Sequence, residues 1–99
     1  MTIYEHKTSI TVSGGTASTT SLKIRGGLLR HVLVRAGTDT TQFKVSLTND
    51  NGTDIVDYGF HTCELNDWDM TVPVQGAYTL TVKNASATDN FTVLMAVQE

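Results

Sequence analysis

The chain has 99 residues, which is enough for one domain with a modest hydrophobic core, and the sequence predicts a single domain over residues 1–99. Its formal charge is −3, with 17% charged and 39% hydrophobic residues, a balance that excludes a disordered acidic tail and a nucleic-acid partner. No apolar run is long enough to span a membrane, and no secretion signal is expected at the start of the chain.

Alternation of apolar and polar residues is the main structural signal. Phe43, Val45 and Leu47 alternate with polar residues, and Tyr78, Leu80 and Val82 repeat the pattern. A period of two is typical of half-buried strands, because successive side chains point to opposite faces of a sheet. Eight short strands are predicted, around residues 10–12, 22–24, 28–36, 42–48, 55–60, 70–74, 78–83 and 91–97.

Glycines punctuate these strands, and Asn51-Gly52 between two alternating runs is a strong hairpin signal. No window shows the apolar spacing of an amphipathic helix, so almost no helix is expected. The fold class predicted is all-β, a single antiparallel β-sandwich of jelly-roll or immunoglobulin-like kind. Its interior is expected to hold Phe43, Leu47, Tyr78, Leu80, Phe91 and Val93. Residues 1–9 are polar and loosely alternating, so they are expected to form an arm free to pair with another subunit.

Two predicted strands, 28–36 and 91–97, carry apolar residues on both faces. One interpretation is that these are central strands partly covered by loops, and the other is that one outer face is a contact between subunits. The second predicts an apolar seam of Leu29, Leu33, Leu94 and Ala96. Flanking it, Arg30, His31 and Arg35 are expected to face acidic loops of the neighbouring subunit.

No catalytic or metal-binding constellation is evident. The three histidines (His6, His31 and His61) are far apart in sequence, and Cys63 near His61 has nothing to complete an oxyanion site. The run 50–54 has oxygen-bearing side chains at alternate positions, which fits a hairpin tip and also, less completely, a calcium loop. We therefore expect no enzyme activity and no cofactor.

Trp68 lies in an acidic segment, between Asn66-Asp67 and Asp69. Carbohydrate-binding β-sandwiches often present such a tryptophan, whose ring stacks on a sugar face. A sugar platform of Trp68, Asp67, Asp69 and Asn66 is therefore the alternative functional hypothesis, against a tryptophan that closes one end of the sandwich.

Four segments carry a resemblance to a known class of proteins. They are 27–36 (Gly-Leu-Leu-Arg-His-Val-Leu-Val-Arg-Ala), 40–47 (Thr-Thr-Gln-Phe-Lys-Val-Ser-Leu), 76–82 (Gly-Ala-Tyr-Thr-Leu-Thr-Val) and the closing 91–99. Together they resemble small structural proteins of tailed-bacteriophage virions, although the pattern at 76–82 also recurs in bacterial extracellular sandwich domains.

The resemblance implies a capsid decoration or cement protein, which sits on the shell and clamps neighbouring capsomers. Its location would be the virion, assembled in the host cytoplasm, and its partner the major capsid protein. It also implies a homo-oligomer, with a trimer favoured over a dimer because such proteins often match three-fold junctions. Nucleic acid and membrane are not expected partners.

Overall fold

The computed structural model describes residues 3–99, apart from the side chain of Arg25, and these residues form seven β-strands. The strands are β1 (Ile3–Val12), β2 (Ala17–Ala36), β3 (Gln42–Asn49), β4 (Asp54–Asp57), β5 (His61–Thr62), β6 (Glu64–Lys83) and β7 (Asp89–Gln98). All strand pairs are antiparallel, and no residue in the described range is helical. The predicted all-β antiparallel class is confirmed. A membrane-spanning helix is therefore also absent from residues 3–99.

The strands form one sheet in the order β1-β7-β2-β6-β3-β4, with β5 attached to β3. β2 and β6 are each 20 residues long and pair with each other from Ala17–Lys83 to Arg35–Glu64. β7 pairs with only the second half of β2, and β3 pairs with only the second half of β6. The sheet is therefore organised as a front layer (β1, β7, the second half of β2, the first half of β6) and a back layer (the first half of β2, the second half of β6, β3, β4).

Glycines mark the points where the long strands pass from one layer to the other. Gly26 and Gly27 have φ values of 147° and 155°, and the pairing register of β2 shifts between Ile24 and Gly27. Gly76, with φ of 100°, lies directly opposite Ile24 on β6. These glycines bend continuous strands, since a residue without Cβ tolerates such backbone angles inside a strand.

This bending accounts for the difference in strand number. The predicted strands 22–24 and 28–36 are one strand, β2, and the predicted strands 70–74 and 78–83 are one strand, β6. The two-residue β5 is not predicted from sequence. Eight predicted strands therefore become seven, two of them long.

The core lies between the two layers. All six residues predicted to be interior are at most 6% exposed: Phe43, Leu47, Tyr78, Leu80, Phe91 and Val93. The rings of Phe43 in the back layer and Phe91 in the front layer meet edge to face, with centroids 5.0 Å apart. Such a contact adds to the energy of simple burial and fixes how the layers meet.

The predicted hairpin at Asn51-Gly52 is confirmed as the connection between β3 and β4. Gly52 has φ of 82°, and its N–H donates to the Asn49 carbonyl over 3.0 Å. The Asn49 side chain accepts hydrogen bonds from the N–H groups of Asn51 and Thr53. The polar residues at this tip therefore build the turn itself.

The expected N-terminal arm is different in the structure. Residues 3–9 belong to β1, which pairs along its whole length with β7, from Ile3–Gln98 to Val12–Asp89. Inward residues Ile10 and Val12 anchor this strand to the core, which is why it stays with its own sheet. Residues 1 and 2 of the expected arm lie outside the described residues.

Candidate docking face

The outward side of the front layer, called here the front face, brings most of the predicted site residues together. The cross-strand register fixes which residues lie side by side. One row across the four strands is Lys7, Leu94, Leu33 and Asn66, and the next row is Glu5, Ala96, His31 and Trp68. The intervening residues of the two central strands (Val32, Val34, Val93 and Met95) point the other way and are buried in the core.

An apolar patch occupies the middle of this face. Leu33 and Leu94 lie opposite each other on β2 and β7, and both are only half-buried. Ala96 is the next outward residue along β7, and at 8% exposed it adds little accessible surface. At the two margins, Ile3 on β1 is 54% exposed and Trp68 on β6 is 73% exposed. Apolar side chains gathered on the outward side of a β-layer whose other side already forms the core are typical of an interaction surface.

Leu29 does not belong to this patch, contrary to the predicted seam. It is 0% exposed and packs in the core, whereas the neighbouring Leu28 lies on the front face beside Gln98 and Pro73. The cause is a register irregularity between Leu29 and His31. The extra residue there, Arg30, reverses the alternation, so that a strict period of two assigns the two leucines to the wrong faces.

The basic residues of the predicted interface have neighbours within their own chain. Arg30 forms an ion pair with Asp69, with an N–O distance of 3.7 Å. Nε2 of His31 is 2.6 Å from Oδ1 of Asn66. Arg35 lies opposite Glu64 in the β2–β6 register. Each of these basic residues therefore has a polar or charged neighbour on β6 of its own chain, and the expectation that they face acidic loops of a neighbouring subunit stays a prediction.

The predicted sugar platform is divided between the two sides of β6. Trp68 and Asn66 share the front face, but Asp67 points the other way, where its carboxylate accepts a hydrogen bond of 2.8 Å from the Tyr58 hydroxyl. Burial, and then this hydrogen bond and the charge of Asp67, raise the pKa of Tyr58. Asp69 has φ of 64° and turns toward Arg30. Asp67 is therefore a structural residue.

A shallow concavity next to Trp68 joins the two predicted sites. Its lining is Ile3, Glu5, Arg30, His31, Asn66, Trp68, Asp69 and Ala96. An exposed indole beside an amide, an imidazole and an ion pair offers a stacking surface with hydrogen-bond donors and acceptors around it. The face also includes residues that the sequence does not predict, among them Leu28, Ile3, Glu5 and Lys7, because finding them requires the register between strands distant in sequence.

Comparisons with known proteins find the fold and no sequence relative. No family model matches the chain, and no curated protein is similar to it in sequence. Among solved structures, the Yersinia pseudotuberculosis-derived mitogen superposes with a TM-score of 0.68 at 17% identity, over 97% of this chain and 87% of that one.

Two further structures superpose over the same 97% of this chain and 86% of their own. A protein of Bacillus endospore appendages, described as disulfide-linked pili, has a TM-score of 0.63 at 16% identity. PliG from Aeromonas hydrophila, a periplasmic inhibitor of g-type lysozyme, has a TM-score of 0.51 at 15% identity. At these identities the likeness establishes a shared β-sandwich fold.

The remaining candidates for chemistry, Cys63 and His61, each contact a neighbouring group of the fold. Cys63 is a free thiol that points to Asp39, with Sγ 3.6 Å from Oδ1, while Nδ1 of His61 lies 3.0 Å from the Gly59 carbonyl. Desolvation, followed by the hydrogen bond and charge of Asp39, raises the pKa of the Cys63 thiol, which disfavours the reactive thiolate. Across the described residues, no three histidine, cysteine or acidic side chains converge as metal ligands would.

Proposed function

We propose that this chain is a non-enzymatic structural protein of a tailed-phage virion, a capsid decoration or cement protein that docks through its front face. The observation that carries the proposal is the apolar patch around Leu33 and Leu94, flanked by the exposed Ile3 and Trp68. Its partner would be the major capsid protein, and its location the virion. The Bacillus protein of the same fold is described as part of pili, so this type of sandwich also occurs in a subunit assembly.

The energetic argument is one of buried area. Fully burying an exposed leucine side chain contributes roughly 1.5–3 kcal/mol, and docking adds only part of this for the half-buried Leu33 and Leu94. The patch compensates by presenting apolar side chains from four strands. The ion pair at one margin, Arg30–Asp69, adds orientation more than affinity, since a solvent-exposed pair is worth little. Disassembly of the capsid would then also require these contacts with the major capsid protein to be broken, which is how a cement protein stabilises a capsid.

Cryo-electron microscopy of the parent particle tests the assignment directly. We expect density for the sandwich on the outside of the shell, with the front face against major capsid protein. Absence of the protein from purified particles would overturn the proposal. The trimer favoured over a dimer in the sequence analysis stays a prediction, and it competes with the dimer inferred below from the edge of β1.

A binding experiment tests the face itself. Leu94→Lys introduces a charge at the centre of the patch and should abolish binding to particles that lack the protein, because an unpaired charge would be buried. Thr81→Lys adds the same charge to the outward side of the back layer and should leave binding unchanged. Equal loss of binding in both variants, with both folded, would show that the front face is not the docking site.

Sugar binding at Trp68 is the second candidate, and a specific observation favours it. A tryptophan that closes the sandwich would be buried, whereas this one is 73% exposed beside Asn66 and His31. Glycan-array binding that disappears in Trp68→Ala would support this function. Phe60→Ala is the matched control, because Phe60 is 61% exposed on the loop between β4 and β5. Failure of the unaltered protein to bind any glycan would rule the candidate out.

A further inference from the structure

β1 is an open edge of the front layer. It pairs with β7 on one side, and within residues 3–99 no strand pairs with its other side. Near the turn into β2, the Thr11 carbonyl accepts a hydrogen bond from the Ser18 hydroxyl, so that end of the edge is covered by its own chain. The stretch 3–9 is left as an open edge, and Ile3 and Tyr4 within it are 54% and 47% exposed.

Two side chains of opposite charge, Glu5 and Lys7, lie at equal distances from the centre of this stretch. Glu5 and Lys7 point to the same side of the sheet, and His6 lies between them at the centre of residues 3–9. If a second copy of β1 ran antiparallel about a two-fold axis at His6, Glu5 of each copy would lie opposite Lys7 of the other. Opposite charges in directly facing positions stabilise an antiparallel pair.

The same register also matches the uncharged neighbours. It places Tyr4 of one copy opposite Thr8 of the other, an aromatic residue facing a β-branched one, and does so twice. Such pairs are among the favourable cross-strand combinations. Lysine on an edge strand usually opposes pairing, but here a glutamate two residues away makes the edge complementary to itself.

Other nearby registers are worse. A shift of two residues in one direction sets Glu5 opposite Glu5, and in the other direction sets Lys7 opposite Lys7, and facing like charges are destabilising. A shift of one residue would set outward side chains against inward ones across the pair. The sequence of the edge therefore selects one alignment.

We propose that two copies of this chain pair antiparallel through residues 3–9 of β1, centred on His6, to form a dimer with a continuous eight-stranded front layer. Both front faces would then point the same way, so that one dimer presents two docking patches and gains from bivalent attachment. The dimer is independent of the proposed function, since a decoration protein of any subunit number could use the front face.

Charge reversal tests this pairing. We expect the unaltered chain at about 100 µM and low salt to sediment with the mass of two 10.7 kDa chains. Glu5→Lys and Lys7→Glu should each weaken dimerisation at least about tenfold, because two attractive pairs become two repulsive pairs. The double variant that swaps both charges should dimerise as the unaltered chain does.

A mixing experiment provides the sharpest outcome. The Glu5→Lys and Lys7→Glu variants, each of which should dimerise weakly alone, should form a heterodimer when combined, because every facing pair is then of opposite charge. Lys83→Glu, on the outward side of the back layer, is the control for a general effect of charge and should leave the mass unchanged. Far-UV circular dichroism verifies that each variant is folded.

Three results would overturn the dimer proposal: a monomer under these conditions, a trimer, or a dimer that the single reversals do not weaken. None of these results bears on particle binding through Leu94, so the two proposals fail separately. A trimer that loses particle binding in Leu94→Lys would support the cement function without β1 pairing.

Discussion

At residue 27 the two central strands of the front layer come too close for any side chain. A Cβ added to Gly27 would overlap the Gln98 carbonyl of β7, and the φ of 155° is one that L-residues rarely adopt. This residue also begins the front-layer half of β2, just after the register shift. Glycine is therefore required here by contact and by backbone conformation together.

We predict that Gly27→Ala lowers the free energy of unfolding by about 2 kcal/mol or more, because strain in φ and a backbone clash act at the same position. Gly59→Ala is the matched control: an added Cβ there has open space, and no unusual φ is required. Urea denaturation of both variants measures the difference. If the two variants had the same free energy of unfolding, β2 and β7 would be able to move apart at residue 27 without losing stability.

Asp89 fastens the loop after β2 to the start of β7. Its carboxylate accepts hydrogen bonds from the Thr38 N–H, the Thr41 hydroxyl and the Asn90 N–H, at 3.0, 2.8 and 2.8 Å. Desolvation alone would raise the pKa of Asp89, but the hydrogen bonds from these three residues outweigh it, so the pKa lies below its ordinary value. The charged form is thus the one that the fold stabilises.

A depressed pKa in the folded state gives stability that is present above the unfolded pKa and lost as the pH falls through the folded one. We therefore predict that Asp89→Asn lowers the unfolding free energy at pH 7, by about 1 kcal/mol for the weakened hydrogen bonds. It should also flatten the fall in stability below about pH 4. Asp57→Asn, an exposed carboxylate of β4, is the control. If stability fell as steeply at low pH in Asp89→Asn as in the unaltered chain, Asp89 would not be the source of that pH dependence.

At the scale of the strand, the irregularity at Arg30 decides which leucine of β2 is structural. Leu29 is in the core and Leu28 is on the front face, although both are leucines in adjacent positions. We predict that Leu29→Ala costs about 3 kcal/mol through cavity formation. Leu28→Ala should cost less than about 1 kcal/mol. Thermal and urea unfolding of the pair measure the difference, and a larger loss in Leu28→Ala than in Leu29→Ala would mean that β2 keeps strict alternation.

Strand β2 shows which features of the fold can be predicted from the sequence and which cannot. Alternation predicts that residues 28–36 form a strand and that the side chains of Val32 and Val34 face the core, because both depend on local periodicity alone. The face of Leu29 is not predictable in this way, since the bulge next to it depends on how β2 pairs with β6 and β7. Gly26 and Gly76 likewise read as turns in sequence, and only the layered sheet makes them bends within strands.

The candidate site is predictable to a similar extent. Leu33, Leu94 and Ala96 follow from apolar residues on the wrong side of an amphipathic strand, and Trp68 follows from its polar surroundings. That these residues share one face with Ile3 depends on pairing between strands more than sixty residues apart in the chain, from Ile3–Gln98 to His31–Ala96. Asp67 is lost from the platform because residues 66–68 lie within β6, where successive side chains point to opposite faces, and its carboxylate meets the Tyr58 hydroxyl on the other side.

At the scale of the whole molecule, the two layers share their backbone. β2 and β6 each contribute one half to the front layer and one half to the back layer, and they pair with each other through both. If one layer unfolded alone, β2 and β6 would lose half of their mutual pairing, and only their halves in the remaining layer would stay in a sheet. Such unfolding would also expose the core face of the remaining layer, including the contact between Phe43 and Phe91.

We therefore predict that the two layers unfold in one cooperative transition, as small single domains usually do. Native-state hydrogen exchange at low denaturant should give the same opening free energy for the amides of Val45 in the back layer and Val93 in the front layer, both 0% exposed. Amides of the short edge strand β4, such as Val56, serve as the comparison and should exchange earlier by local fraying. If Val45 opened at a free energy more than about 1 kcal/mol below that of Val93, the back layer would be unfolding by itself. In that case β2 and β6 would not couple the layers, and the bends at Gly27 and Gly76 would behave as hinges between two separately stable units.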